Sequence, residues 1–78
     1  MASLYAREVA LYTTALELGV ASGDFELTGT PAEVARDLVA LEDGYGLHLF
    51  SRNPAVDHAT AYDAVLRFAR TVTGCARL

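Results

Sequence analysis

Apolar residues recur along the first segment at steps of three and four: Tyr5, Val9, Tyr12, Leu16 and Val20. That spacing puts them on one face of an α-helix. A second set, Leu4, Leu11 and Leu18, lies to one side of the stripe and leaves Ser3, Arg7, Thr14 and Glu17 as a narrow polar face. The pattern predicts a helix over residues 3–21, with no obvious cap at its start. Gly19, Ser22 and Gly23 are expected to end it, glycine turning through positive φ at least cost.

The next signal is local. In Thr30-Pro31-Ala32-Glu33 the Thr30 hydroxyl is placed to accept from the Glu33 amide, and the Glu33 carboxylate from the Thr30 amide. Pro31 then occupies the first helical position, where its missing N–H does no harm. A helix over residues 31–51 follows, carrying Val34, Leu38, Leu41, Tyr45 and Leu49 on one stripe. Ala35, Val39, Gly46 and Phe50 form a second stripe about 100° away, with Glu42 between the two. Gly44 and Gly46 weaken a helix interior by about 1 kcal/mol each, which suggests another backbone approaching there. The helix stops before Asn53-Pro54, since the residue before proline is pushed out of helical φ and ψ. Asp57 caps a last helix over residues 57–73, with Ala61, Val65, Phe68, Val72 and Cys75 on one stripe and Tyr62, Ala69 and Thr73 widening it. The loop between the first two helices buries Phe25 and Leu27 beneath a short extended or 3₁₀ piece.

No strand-like alternation and no internal repeat interrupts this reading, so the fold class is all-α, one domain over residues 1–78. Two of the three helices carry more apolar face than so short a chain can cover, and association is the usual remedy at this size. The expected partner is a second copy, joined by a symmetric contact through Val39, Gly46 and Phe50 of the middle helix and Val65, Phe68 and Val72 of the last.

Charge and chemistry remove several functions. Ten acidic residues against six basic ones leave a net charge of −4, and all six cations are arginines spread along the chain. Only Arg67 and Arg70 share a helical face, so the segment is not expected to bind nucleic acid by itself. The lone Cys75 points to a reducing compartment, and no apolar run approaches the roughly 18–20 residues of a membrane span, so the expected location is cytoplasmic. His48 and His58 fall on different helices with no ligand spacing, which argues against a metal site. Glu42 and Asp43 diverge by about 100° on a helix and do not converge on a substrate. With no nucleophile–base pair either, the chain is not expected to be an enzyme or to need a cofactor. Tyr5 and Tyr12, together on the main stripe of the first helix, are the candidates for lining a small-molecule pocket with an apolar floor.

Leu18-Gly19-Val20-Ala21-Ser22-Gly23-Asp24-Phe25, then Thr30-Pro31-Ala32-Glu33-Val34-Ala35, then Leu41-Glu42-Asp43-Gly44 resemble the C-terminal regulatory domain of TetR-family transcriptional repressors. The likeness covers roughly residues 13–73 and rests on the order and spacing of short motifs. It implies an all-α domain whose last two helices form a four-helix bundle with a second subunit, and a small-molecule pocket that switches an N-terminal helix-turn-helix. No helix-turn-helix is present in this sequence. The first helix begins almost at Met1, so the chain is expected to be the dimerisation and partial effector-binding region of a longer repressor, taking a small apolar effector. The rival expectation is a stand-alone small helical protein that dimerises or binds a partner helix and has no role in transcription. An upstream reading frame continuing into a basic helix-turn-helix separates the two.

Overall fold

A computed structural model describes residues 3–78; Met1 and Ala2, the first two positions of the expected domain, lie outside the described residues. Three helices make up the regular structure: α1 (Leu4–Ala21), α2 (Pro31–Phe50) and α3 (His58–Thr73). Among the described residues there is no strand, and no helix is long and apolar enough to cross a membrane.

Each helix starts where a side chain satisfies amides that the helix itself leaves unpaired. Thr30 and Glu33 form the reciprocal pair, with Glu33 N–H donating to Thr30 Oγ1 at 3.1 Å and Thr30 N–H to Glu33 Oε1 at 3.0 Å. Those bonds hold the Glu33 carboxyl below its ordinary range. Asp57 accepts from the Thr60 amide at 2.7 Å. The first helix does have a cap, contrary to the sequence reading: Ser3 Oγ accepts from the Ala6 amide at 3.1 Å.

The turn after α1 is built from its motif residue by residue. Gly19 does not end the helix, which continues to Ala21. Its role is steric, because the Phe25 ring folds back onto it and a Cβ at this position would overlap that ring. Gly23 takes φ +83°, and the Asp24 amide returns to the Gly19 carbonyl at 3.0 Å while the Gly23 amide returns to Val20 at 3.1 Å. This closes α1 in a Schellman turn. Residues 26–28 form no regular structure; instead the amides of Glu26 and Thr28 donate to the Thr73 and Val72 carbonyls, at 2.8 and 3.0 Å. The α1–α2 connection therefore satisfies the C-terminal end of α3.

α1 and α3 each pack on α2. Leu16, Val34, Ala35, Leu38 and Val72 form the buried core, with Val9, Tyr12, Phe25, Leu27, Phe68 and Ala69 packed around it. The core thus sits on the first two turns of α2, while the end of α2 and the start of α3 project beyond it. Leu47, Phe50 and Tyr62 are exposed there, so Tyr62 does not belong to the apolar arc expected for α3. The ends of the α1 stripe, Tyr5 and Val20, are likewise exposed, as are Leu4, Leu11 and Leu18. α2 runs unbroken through Gly44 and Gly46, and among the described residues nothing beyond the helix's own local backbone lies within 4 Å of a Cβ built at either. No backbone of the same chain approaches them.

The resulting shape is a slab of 40 × 36 × 15 Å with a radius of gyration of 13.3 Å, against about 11.5 Å for a compact chain of this length. It exposes 5455 Å², roughly 900 Å² more than the about 4,600 Å² typical of a monomer of this mass.

Candidate ligand groove and subunit face

The α2–α3 hairpin presents two open faces. On the side that α1 partly covers, a groove of about 710 Å³ runs between the end of α2 and the start of α3, bordered by Glu42, Gly46, Leu49, Tyr62 and Val65. It adjoins a smaller cavity of about 210 Å³ reached by Tyr12, Leu16 and Ala69, the two sharing Glu42 and Val65. On the other side, Leu41 of α2 borders two further depressions of about 350 and 660 Å³, one with Ala40, Gly44 and His48, the other with Ala64, Phe68 and Thr71 of α3, and Tyr45 borders both of these and the groove. At 100° per residue, residues 41 and 44 lie about 140–160° around the helix from Gly46, whereas Tyr45 is only about 100° from it and borders the groove too.

This geometry divides the patch expected to meet a second copy. Val39 is 1% exposed and Val72 is also buried, so both are used inside the subunit and are not free for a partner. Gly46 and Val65 border the groove on the α1 side, whereas Phe68 lies on the opposite face. Phe50, 88% exposed at the end of α2, stands apart from both. Periodicity placed these six residues on apolar stripes but said nothing of which half of a stripe another helix covers.

The most specific polar contact joins α1 to α2. The Tyr12 hydroxyl donates to Glu42 Oε1 at 2.6 Å. Ionising this phenol would remove the donor beside a carboxylate, so its pKa is pushed up to about 12 by that bond first, then by partial burial and the charges of Glu42, Glu8 and Asp43. Tyr5, the other candidate, is exposed and lies outside the groove. The sequence reading missed the Tyr12–Glu42 pair because its members are 30 residues apart. A faint signal was present in Glu42 itself, a charge set between two apolar stripes.

His58, Tyr45 and Tyr62 also border the groove. Among the described residues no group of three His, Cys, Asp or Glu is arranged to hold a metal ion. His48 Nδ1 is 3.1 Å from Asn53 Nδ2, and the Cys75 thiol is free and buried. Arg67 pairs with Asp63 at 3.2 Å, Arg77 with Asp24 at 3.2 Å, and Arg70 Nε donates to the Leu78 carbonyl. Both ion pairs are exposed and of small energetic weight.

The chain matches no protein-family model, no curated protein and no solved structure.

Proposed function

We propose that the chain is the dimerisation and ligand-sensing region of a TetR-like transcription regulator, with no catalytic role. The observation that carries the reading is the surplus surface: the roughly 900 Å² of extra exposure is close to the about 800 Å² that each partner buries in a standard protein interface. A second copy is the natural occupant, because one patch repeated about a two-fold axis covers both subunits. The face assigned to it is Ala40, Leu41 and Gly44 of α2 with Phe68 and Thr71 of α3, flanked by Arg67 and Arg70, where Gly44 leaves room for a neighbouring backbone. Two such hairpins make a four-helix bundle, and the α1-side groove stays free for a small molecule. The role in transcription itself rests on the sequence resemblance.

Gly44→Arg tests the interface. Nothing in the subunit obstructs a side chain at this position, and arginine is the better helix former, so the fold is retained. Sedimentation velocity should show a micromolar dimer for the parent and a monomer for the variant. A parent that remains a folded monomer at these concentrations refutes the reading; a variant that remains dimeric moves the interface elsewhere. Fusion behind a TetR-type helix-turn-helix, with operator binding measured by anisotropy, tests the regulatory role. Loss of that binding in Gly44→Arg is the expected outcome.

A further inference from the structure

We infer that the outward face of α1 pairs with the same face of a second copy, antiparallel, about a two-fold axis at Leu11. The inference goes beyond the α2–α3 dimer, which leaves this face open, and it does not depend on a role in transcription. α1 packs on α2, turning Val9, Tyr12 and Leu16 toward the core. On its other side Leu4, Leu11 and Leu18 are 71%, 70% and 66% exposed. They recur every seven residues, the repeat of a coiled-coil seam, and drift by only about 20° per heptad. Arg7, Ala10, Thr14 and Ala15 lie among them and are exposed as well. The Thr14 hydroxyl donates to the Ala10 carbonyl at 3.1 Å, so its donor is satisfied within the helix.

This face is complementary to itself in one direction. Leu4 and Leu18 are equally far from Leu11, so reversing a second copy about Leu11 sets Leu4 against its Leu18 and Leu11 against its Leu11. The same operation lays the Arg7 stem over Thr14 and Ala15 of the second copy, small residues that border a depression of about 550 Å³ with Leu11 and Leu18. At 100° per residue Arg7 and Glu17 lie on the same flank of the seam, and an antiparallel pair brings like flanks together. In this register Arg7 falls about 3 Å along the axis from Glu17 of the second copy, and symmetry repeats the contact. Neither residue has an ion-pair partner of its own among the described residues. A parallel pairing would instead set Arg7 against Arg7 and Glu17 against Glu17. The charges therefore select both the occupant and its direction.

A seam of two heptads is short, so the contact forms above the micromolar range in which the α2–α3 dimer is measured. Sedimentation equilibrium on the whole chain, carried up to millimolar concentration, should show parent dimers associating into tetramers and Gly44→Arg monomers associating into dimers. Arg7→Glu and Glu17→Arg should each weaken that step about tenfold, by turning two attractions into repulsions, and the double variant should restore it. Both positions are exposed, so the variants keep the fold. Glu17→Arg also lowers the net negative charge, so weakening by it is not general repulsion. Absence of the high-concentration step in Gly44→Arg overturns the inference. Association indifferent to the single reversals, or not restored in the double variant, overturns it too and assigns the face to another occupant or register. A parent that is monomeric at micromolar concentration yet obeys the charge exchange refutes the α2–α3 dimer and leaves this contact standing.

Discussion

Gly19→Ala sets helix propensity against packing at one atom. Alanine in place of an interior helical glycine gains up to about 1 kcal/mol. Here the added Cβ would lie no more than 2.7 Å from three carbons of the Phe25 ring, which no real contact tolerates. The ring must leave, and Phe25 is half-buried against the core beside Leu27. Full burial of such a side chain is worth about 1.5–3 kcal/mol, and forcing an extra methyl into a packed site typically costs about 1–3 kcal/mol. The displacement also strains the amides of Asp24 and Phe25, which both donate to the Gly19 carbonyl at 3.0 Å. Packing therefore wins, and net destabilisation of about 1 kcal/mol is expected, lowering Tm by about 4–8 °C. The sharper assay is a double-mutant cycle at fixed protein concentration. In a Phe25→Ala background the obstruction is gone, so the same Gly19→Ala change should become stabilising, giving a coupling of about 2 kcal/mol. If Gly19→Ala raises Tm in the parent, or if its sign is the same in both backgrounds, the steric account of this turn is wrong.

Three further outcomes follow from single contacts. Arg52 closes α2 at φ +57°, in a Schellman turn made by Asn53 N–H to His48 O and Arg52 N–H to Leu49 O; Arg52→Gly should stabilise by about 0.5–1 kcal/mol in a thermal melt. Leu16→Ala, at the centre of the core, should cost about 2–5 kcal/mol, whereas Leu11→Gln on the open face of α1 should stay within about 0.5 kcal/mol, and equal effects on chemical denaturation would mislocate the core. Tyr12, with its pKa raised to about 12, contributes stability that is fully present below about pH 10 and lost as pH rises toward 12. Absorbance titration at alkaline pH should show a late-ionising tyrosine whose midpoint falls in Glu42→Ala, and the absence of a late phase in the parent would contradict the contact.

The helices were legible because their signals are local. The Thr30–Glu33 box, Pro31 and Asp57 act within one turn, and a local hydrogen bond forms at the same place in any tertiary setting. Ser3 was missed as a cap although it follows the same chemistry, because no flanking feature distinguished it from the polar face of α1. What sequence could not supply was crossing geometry. The stripe of α2 read as uniform, yet Ala35 and Val39 are buried and Phe50 is open, since the packed helices cover its first half and not its end. Tyr12 could be placed on the correct face, whereas its pairing with Glu42 depends on how α1 crosses α2. Gly19 was read as a helix terminator because periodicity sees backbone need and not the return of a ring from six residues later.

The ligand groove and the α2–α3 dimer face are built on the same two helices. Glu42 and Gly46 border the groove on one side of α2, while Leu41 and Gly44 face the other. In the proposed dimer the α2–α3 hairpin is thus the wall between a bound small molecule and the second subunit. The end of α2 lies beyond the core and carries both glycines. Such a segment is the part of the slab whose position costs least to shift, while its start is fixed by the Thr30 cap and the buried residues around Val34 and Leu38. A ligand that binds one position of this segment better than another would change the fit of the two copies by that difference in affinity and no more. Coupling of this kind requires that groove occupancy alter the dimer dissociation constant, and by linkage the dimer must alter ligand affinity by the same factor. Equal ligand affinity for the parent dimer and the Gly44→Arg monomer would mean that the wall does not transmit, even if both surfaces are correctly assigned.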